Sequence, residues 1–466
     1  MVSGTATLPR VVIAAPATGQ GKTTVATGLM AALRDTGQAV SGHKVGPDYI
    51  DPGYHALATG RPGRNLDPHL VGEDRVVPLL LHGARTPRPS DVAVIEGVMG
   101  LHDGRIGTQG HASTAHVAAL TGSPVLLVVD ISRTTRTAAA LVHGLATWRR
   151  GHGAAAQVAG VILNQAGSPR HAREVTDAID LPVLGVLPRD PGLASPSRHL
   201  GLVTAAERGD AAAVVTRLGE AVAAHVDLDA VLDLARTAPA LHAQPWAPEV
   251  EVPAQRATPE VEVRAQRASK PTVAVAGGRA FTFRYAETTE LLEAHGCRVV
   301  EFDPLTDTTL PPGTAGLHLG GGFPEVHAAG LTGNTALRTA IRDAVRDGLP
   351  TVAECAGLLY LCRSLDGAPM AGAIEADAVM TDRLTLRYPT ATAASDSLLT
   401  RAGDRVSGHE FHRTTVTPGS GPAPAWVIEE DRVGFTSPTL HASYLHTHPA
   451  GHPQLMQRFA AAVHRG

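Results

Sequence analysis

The sequence predicts two α/β units joined by a linker, on three observations. Short unbroken apolar runs alternate with helix-period stretches, a duplicated segment rich in Pro and charge interrupts them near the middle, and the alternation then resumes. In the first unit Arg10–Ala15 reads as a strand. Lys22–Thr36 reads as a helix, with Val25, Leu29 and Leu33 at helix spacing. Val92–Ile95, Val125–Val129, Val158–Leu163 and Val183–Val186 are apolar runs bounded by turn residues, as strands buried on both faces require. Strands separated by helices imply a parallel sheet with right-handed crossovers. Ala211–Ala235 reads as one closing helix.

Pro248–Ala257 (PEVEVPAQRA) and Pro259–Ala268 (PEVEVRAQRA) are near-duplicates without large apolar residues, so they cannot bury a core and read as a semi-extended linker. The expected domains are therefore residues 1–243, a linker over 244–271, and residues 272–466. In the second unit Thr272–Ala276, Arg298–Phe302, Gly316–Leu319, Leu349–Val352 and Trp426–Ile428 read as strands and Tyr285–His295 as a helix, with antiparallel pairing expected late in the chain.

Composition excludes several classes. Forty basic against 44 acidic residues, a net charge of −4, argue against nucleic-acid coating. With 43% apolar and 18% charged residues the chain is globular, not disordered, and with 3% aromatics its core must be Ala, Val and Leu. No apolar run approaches a membrane span, and the first residues do not read as a signal peptide. Cys297, Cys355 and Cys362 cannot form a disulfide framework. A cytoplasmic protein is expected, and most of the 23 histidines are taken as ordinary surface or core residues.

After the first strand, Ala15 to Thr24 (APATGQGKTT) runs straight into a helix. Such a loop closes backbone amides around phosphate oxygens, aided by the helix dipole. Thr18, Gly19, Gly21, Lys22, Thr23 and Thr24 are the expected ATP-binding residues. Lys22 would reach the β/γ-phosphates and the Thr23 hydroxyl would hold Mg²⁺. Pro16 stands where the usual pattern has Gly. Asp48 and Asp51, in the rigid segment Lys44–Pro52, and Glu96, at the end of a buried strand, are candidate carboxylates for the magnesium ion.

In the second unit, Leu349–Val352 leads into Ala353-Glu354-Cys355-Ala356-Gly357, a strand, tight turn and helix that would expose a dipole-favoured thiolate at Cys355. Amides of the Gly320–Glu325 loop, with Gly321 and Gly322 foremost, and of Ala356 could hold an oxyanion. His441, His446 and His448 offer bases. Cys297 and Cys362 read as buried apolar residues. Cys355 and Cys362 do not have zinc-site spacing. His409 and His412, in GHEFH, read as structural or substrate-contacting.

In order along the chain stand APATGQGKTT, HKVGPDYIDPGYH, NLDP, EGVMGLHDG, LGGGFPE, ECAGLLYL, MTDRLTLRY, GHEFH and ASYLH. Together they resemble the cobyrinic (or hydrogenobyrinic) acid a,c-diamide synthases of cobalamin biosynthesis. The resemblance implies an N-terminal ATP-binding domain similar to dethiobiotin synthetase and a C-terminal class I glutamine amidotransferase domain. It implies amidation of the a and c carboxylates of a corrin acid with L-glutamine and MgATP, no tightly bound organic cofactor, and a protected ammonia passage. By position it makes Cys355 the nucleophile and His446 the base. Lys22, Thr23, Asp48 and Glu96 form the ATP–Mg and activation site, with Asp51 and Tyr49 assisting. His448 replaces the Glu of many class I amidotransferases, so a dyad is expected, with Glu354 a local structural carboxylate. A homodimer fits the family. Cobyric acid synthase and nickel-sirohydrochlorin a,c-diamide synthase are the neighbouring readings; a partition-type ATPase switch is the non-enzyme one, and it leaves ECAG and ASYLH unused.

Overall fold

In the computed structural model, which describes residues 4–193, 197–198, 201–248 and 270–466, the apolar runs become the strands of two separate sheets. The chain divides into two units, Met1–Ala247 and Pro248–Gly466. The duplicated segment lies almost wholly outside the described residues.

The first unit is built from β1 (Arg10–Ala14), α1 (Lys22–Asp35), β2 (Val40–Val45), α2 (Asp51–Thr59), β3 (Arg64–Leu66), α3 (Glu73–Arg85), β4 (Val92–Glu96), α4 (Thr114–Thr121), β5 (Pro124–Asp130), α5 (Thr137–Thr147), β6 (Gln157–Ala166) and β7 (Val183–Pro188). The seven strands form one parallel sheet in the order β3-β2-β4-β1-β5-β6-β7. β1, β2 and β4 are buried along their whole lengths, as the continuous apolar runs require. The chain leaves β1 toward β2 on one side and leaves β4 toward β5 on the other. The switch point therefore falls between the C-terminal ends of β1 and β4, where α/β sheets bind ligands.

The expected single closing helix is two, α6 (Ala211–His225) and α7 (Leu228–Arg236). Val226 turns extended and pairs with Gly185, and the Asp227 side chain accepts the Ala230 amide at 2.9 Å to start α7. An Asp cap beside a β-branched residue is a local break signal that apolar periodicity hides. α1 packs closely on α6 because Gly28 and Gly219 stand at the crossing. A Cβ at Gly28 would lie 2.6 Å from the Leu218 carbonyl oxygen, and one at Gly219 would lie 2.9 Å from the Ala31 Cβ.

The second unit contains β8 (Thr272–Ala276), α8 (Ala286–Ala294), β9 (Arg298–Phe302), β10 (Thr314–Leu319), α9 (Thr335–Arg346), β11 (Thr351–Glu354), α10 (Ala356–Leu361), β12 (Phe435–Thr436), β13 (Leu440–Ser443) and α11 (Pro453–Val463). Its main sheet runs β9-β8-β10-β11-β13-β12, parallel except for the β12 edge. Between α10 and β12 the chain folds into antiparallel ribbons, among them Asp377–Arg387 with Glu410–Thr417. The core packs Leu317, Leu319, Ala353, Leu358 and Tyr360 beneath α9, through Leu337 and Ile341. Trp426–Ile428 is a strand as expected, but it belongs to a second ribbon, paired with Thr390–Ala393.

Candidate active sites

The first site lies at the switch point. β1 ends at Ala14 and the loop 15–21 carries Thr18 and Gly19 exposed to solvent. Gly21, with φ +92°, turns the chain into α1, a conformation that favours glycine. A Cβ there would also strike the Asn164 amide nitrogen at 2.2 Å. Asn164, at the end of β6, donates to the Gln20 carbonyl at 3.0 Å and so holds the loop from beneath. α1 begins without a side-chain cap, which leaves its first amides for an anion. Lys22 folds back along the loop, donating to the Met99 carbonyl at 2.6 Å and the Ala17 carbonyl at 3.2 Å. Burial, reinforced by the Lys44 charge, lowers its pKa to about 8. Thr24 is half-buried on the same first turn.

Thr23 Oγ1 donates to Glu96 Oε1 at 2.6 Å and lies 3.2 Å from Asp51 Oδ2. Beneath them Lys44, which sequence reasoning missed, donates to Asp51 Oδ2 at 2.6 Å, Glu96 Oε1 at 2.9 Å and the Gly97 carbonyl at 3.0 Å. The parallel register of β2 and β4 sets Lys44 directly beside Glu96. His55, on α2, completes the cluster at 2.7 Å from Glu96 Oε2. Burial opposes charge on Lys44, but Asp51 and Glu96 outweigh it and hold the ammonium above its ordinary range. Glu96 is likewise buried, yet Lys44, His55 and Thr23 keep its carboxyl well below the usual range. For Asp51, burial and the neighbouring Asp48 and Glu96 charges win, and its pKa is raised well above normal.

Asp48 lies close enough for its charge to act on Asp51 and Lys44, and it also has a local task. Its Oδ1 accepts the amides of Ile50 at 2.7 Å and Asp51 at 3.1 Å, so it shapes the start of the helix that delivers Asp51. Asp51, expected only to assist, stands with Thr23 and Lys44 because α2 begins there and turns that residue inward. Tyr49 is half-buried beside them.

The second site is organised by backbone. β11 delivers Glu354 and then Cys355, at φ +49° and ψ −101°, before α10 starts. A non-glycine residue held at such angles costs on the order of 1–3 kcal/mol and marks a turn fixed by its surroundings. The Cys355 amide donates to the Ser443 carbonyl at 2.9 Å, tying the turn to β13. β13 leads directly to His446. The Cys355 and Glu354 side chains both engage its ring, and Glu354 Oε2 lies 3.3 Å from Nδ1. Burial would discharge this imidazole, but Cys355 and Glu354 outweigh it and raise the pKa to about 10. Glu354, expected to be only structural, therefore stands where the third member of a triad would.

His446 stacks on His409, with ring centroids 4.9 Å apart and 16° between planes, and the two residues exchange backbone hydrogen bonds at 3.0 Å. His412 stacks instead on Tyr444, with ring centroids 3.8 Å apart. His448 turns away: it is buried, 4.0 Å from Glu287 and packed on Tyr285. Gly321 lies against the His446 ring, where a Cβ would come within 2.6 Å of Cε1. Its amide donates to the Phe283 carbonyl at 3.2 Å. The Gly321 amide is thus committed to a backbone bridge and not free for an oxyanion, which corrects that expectation and leaves Gly322 and Ala356. Cys297 and Cys362 are buried thiols whose pKa values burial pushes up to about 11 and about 12.

A phosphate-loop site with clustered oxygen ligands in one unit, and a strained Cys–His site in the other, define a nucleotide-dependent glutamine amidotransferase. Residues 11–203 match the CobQ/CobB/MinD/ParA nucleotide binding domain, and residues 272–454 match the CobB/CobQ-like glutamine amidotransferase domain. The chain is 62% identical to the hydrogenobyrinate a,c-diamide synthase of Thermobifida fusca, over 98% of this chain and 97% of that one. It is 54% identical to that of Streptomyces coelicolor over 98% of both chains. The cobyrinate a,c-diamide synthase of a Synechococcus strain is 40% identical over 97% of each. The chain belongs to the a,c-diamide synthase family. Among the described residues no helix is long and apolar enough to cross a membrane.

Proposed function

We propose that this chain performs the ATP- and glutamine-dependent amidation of the a and c carboxylates of a corrin acid in cobalamin biosynthesis, with metal-free hydrogenobyrinate as its macrocycle. The observation that carries the reading is identity of 62% and 54% to hydrogenobyrinate enzymes along nearly the whole chain, against 40% to a cobyrinate enzyme.

A carboxylate is a poor acceptor for ammonia, so its oxygen first attacks the γ-phosphorus of ATP. ADP departs and an acyl phosphate remains. Ammonia then adds to the acyl carbon and phosphate leaves. The Lys22 ammonium and the loop amides of Gly19 to Thr23 offset charge on the transferring phosphoryl group. The donor set of Thr23, Glu96 and Asp51 is all oxygen and fits Mg²⁺, which when bound would supply positive charge at the phosphate oxygens. Lys44 lets the two buried carboxylates stand side by side, and Asp48 positions Asp51 through the α2 cap. Tyr49 belongs to the acceptor side of this site.

In the second unit Cys355 Sγ attacks the glutamine carboxamide carbon. His446, kept protonated beside the thiolate, gives its proton to the departing ammonia, and water then hydrolyses the thioester to glutamate. Glu354 orients the imidazolium, and the amides of Gly322 and Ala356 receive the oxyanion. The same reading includes a cytoplasmic homodimer, for light scattering and cell fractionation to test.

The decisive test is mass spectrometry of products formed with MgATP and glutamine from hydrogenobyrinic and cobyrinic acid in parallel. Each OH replaced by NH₂ lowers the mass by about one unit, so diamidation lowers it by about two. Diamidation of hydrogenobyrinic acid with cobyrinic acid unchanged is the expected result. The reverse preference would overturn the macrocycle assignment, and no mass loss with either would overturn the function.

A further inference from the structure

Away from both candidate active sites, Glu73, His111, His116 and His152 converge in the first unit. One potential ligand atom from each lies within 4.8 Å of every other. Glu73 Oε1 is 3.7 Å from His111 Nδ1, 3.3 Å from His116 Nε2 and 3.8 Å from His152 Nδ1. Ligands about 2.0–2.2 Å from a tetrahedral ion lie roughly 3.3–3.6 Å from one another, so small side-chain adjustments would close this set. We propose that it is a binding site for a first-row divalent transition metal of the Zn²⁺ type, ligated by Glu73, His111 and His152.

The chemistry of each group assigns its part. Imidazole nitrogens with one carboxylate suit Zn²⁺, Co²⁺ or Ni²⁺ and not Mg²⁺ or Ca²⁺. His116 Nδ1 accepts the Ala112 amide at 3.1 Å, so its neutral ring carries the proton on Nε2, which lies 3.3 Å from Glu73 Oε1. It therefore orients the carboxylate, as partners of metal ligands do. The backbone holds the set in place without an ion. The His152 amide donates to the Gln109 carbonyl at 3.1 Å, and the Arg105 amide donates to the His111 carbonyl at 2.8 Å. An ion has a way in, since Glu73 and His152 are exposed and the neighbours Gly110, Gly151 and Gly153 line a concavity of about 800 Å³.

The site joins the start of α3, the loop 97–113, α4 and the segment after α5. That loop begins beside Glu96 and offers Lys22 the Met99 carbonyl. A bound ion therefore pins the far end of the loop that borders the nucleotide site.

The test is calorimetric titration of the chelator-stripped full chain with Zn²⁺. The parent should bind one equivalent. His111→Ala with His152→Ala should weaken binding by at least about 100-fold, and His116→Ala by about 10- to 100-fold. Glu73→Gln, at an exposed position, is the second ligand variant should the double substitution fail to fold. Co²⁺ bound in the same place should give a visible absorption band that the double variant lacks. Zn²⁺ should slow hydrogen exchange over residues 101–113 in the parent alone. Absence of one-equivalent binding in the parent, or equal affinity in the ligand variants, would overturn the site. Unchanged exchange over 101–113 would overturn the pinning role.

Discussion

The two candidate active sites hold their reactive groups by different physics. In the first unit, charge does the holding: Lys44 is buried between Asp51 and Glu96, and strand register puts them in contact. Removing one partner of such a buried set typically costs about 3–5 kcal/mol. In the second unit the backbone does it. Cys355 sits at a positive φ costing about 1–3 kcal/mol, and Gly321 admits the His446 ring where a side chain could not stand. A phosphoryl-transfer site must hold several charges near one another through a reaction that moves charge. A thiol site needs one sulfur and one ring in a fixed relation. The first should be sensitive to charge replacement without change of shape, the second to shape without change of charge.

The largest effect expected follows from neutralising the first site. Glu96→Gln keeps the shape but removes the charge shared by Thr23, Lys44 and His55, and amidation should fall by about 10²- to 10³-fold. Glutaminase activity, assayed as glutamate release, should persist. Equal loss of both would break the contrast.

The converse substitution is Gly321→Ala. The added methyl would meet His446 Cε1 at 2.6 Å and displace the ring. Misplacement of a catalytic group by about 1 Å costs on the order of 10²-fold. Glutamate release should fall by that amount, while amidation from added ammonia stays near the parental rate.

A smaller, pH-dependent effect is expected of Glu354→Gln. Cys355 and Glu354 raise the His446 pKa to about 10, so the protonated pair survives through neutral pH and is lost as pH rises through about 10. The stability it contributes has the same sign, complete below the ordinary histidine pKa and lost on passing the raised one. Glu354→Gln removes one of the two groups that raise the ring and leaves Cys355, so the His446 pKa should fall from about 10 and the protonated fraction should be lost at lower pH than in the parent. The alkaline limb of the glutaminase profile should move down accordingly. An unmoved limb would assign Glu354 a purely structural function. Least of all, Cys297→Ala should leave glutamine use within about twofold of the parent, since that thiol is buried, unreactive and outside the site.

What could be read from the sequence was what is contiguous. The phosphate loop, with Lys22 and Thr23, and the turn at Cys355 are single segments whose strand, turn and helix are neighbours in the chain. Their boundaries fell within a residue or two of those observed. Lys44 and Glu354 escaped because their meaning is non-local. Lys44 becomes a partner of Glu96 only through the pairing of β2 with β4. Glu354 reaches His446 only because β11 lies beside β13. The contacts of Asp51 with Thr23 and Lys44 turned on one detail, the residue at which α2 starts. The histidines near Glu73 were invisible for a related reason: His111, His116 and His152 come from a loop, a helix and a later segment, with no ligand spacing to betray them.

The central claim is that Cys355 in one unit releases the nitrogen consumed at the Lys22–Glu96 site of the other. It is tested most directly by supplying glutamine labelled with ¹⁵N in its amide together with unlabelled ammonium, then measuring the isotope in the product amides. The parent should insert ¹⁵N, and Cys355→Ala should still form amides but with ¹⁴N from ammonium alone. Product from Cys355→Ala carrying ¹⁵N at the parental level would contradict the account.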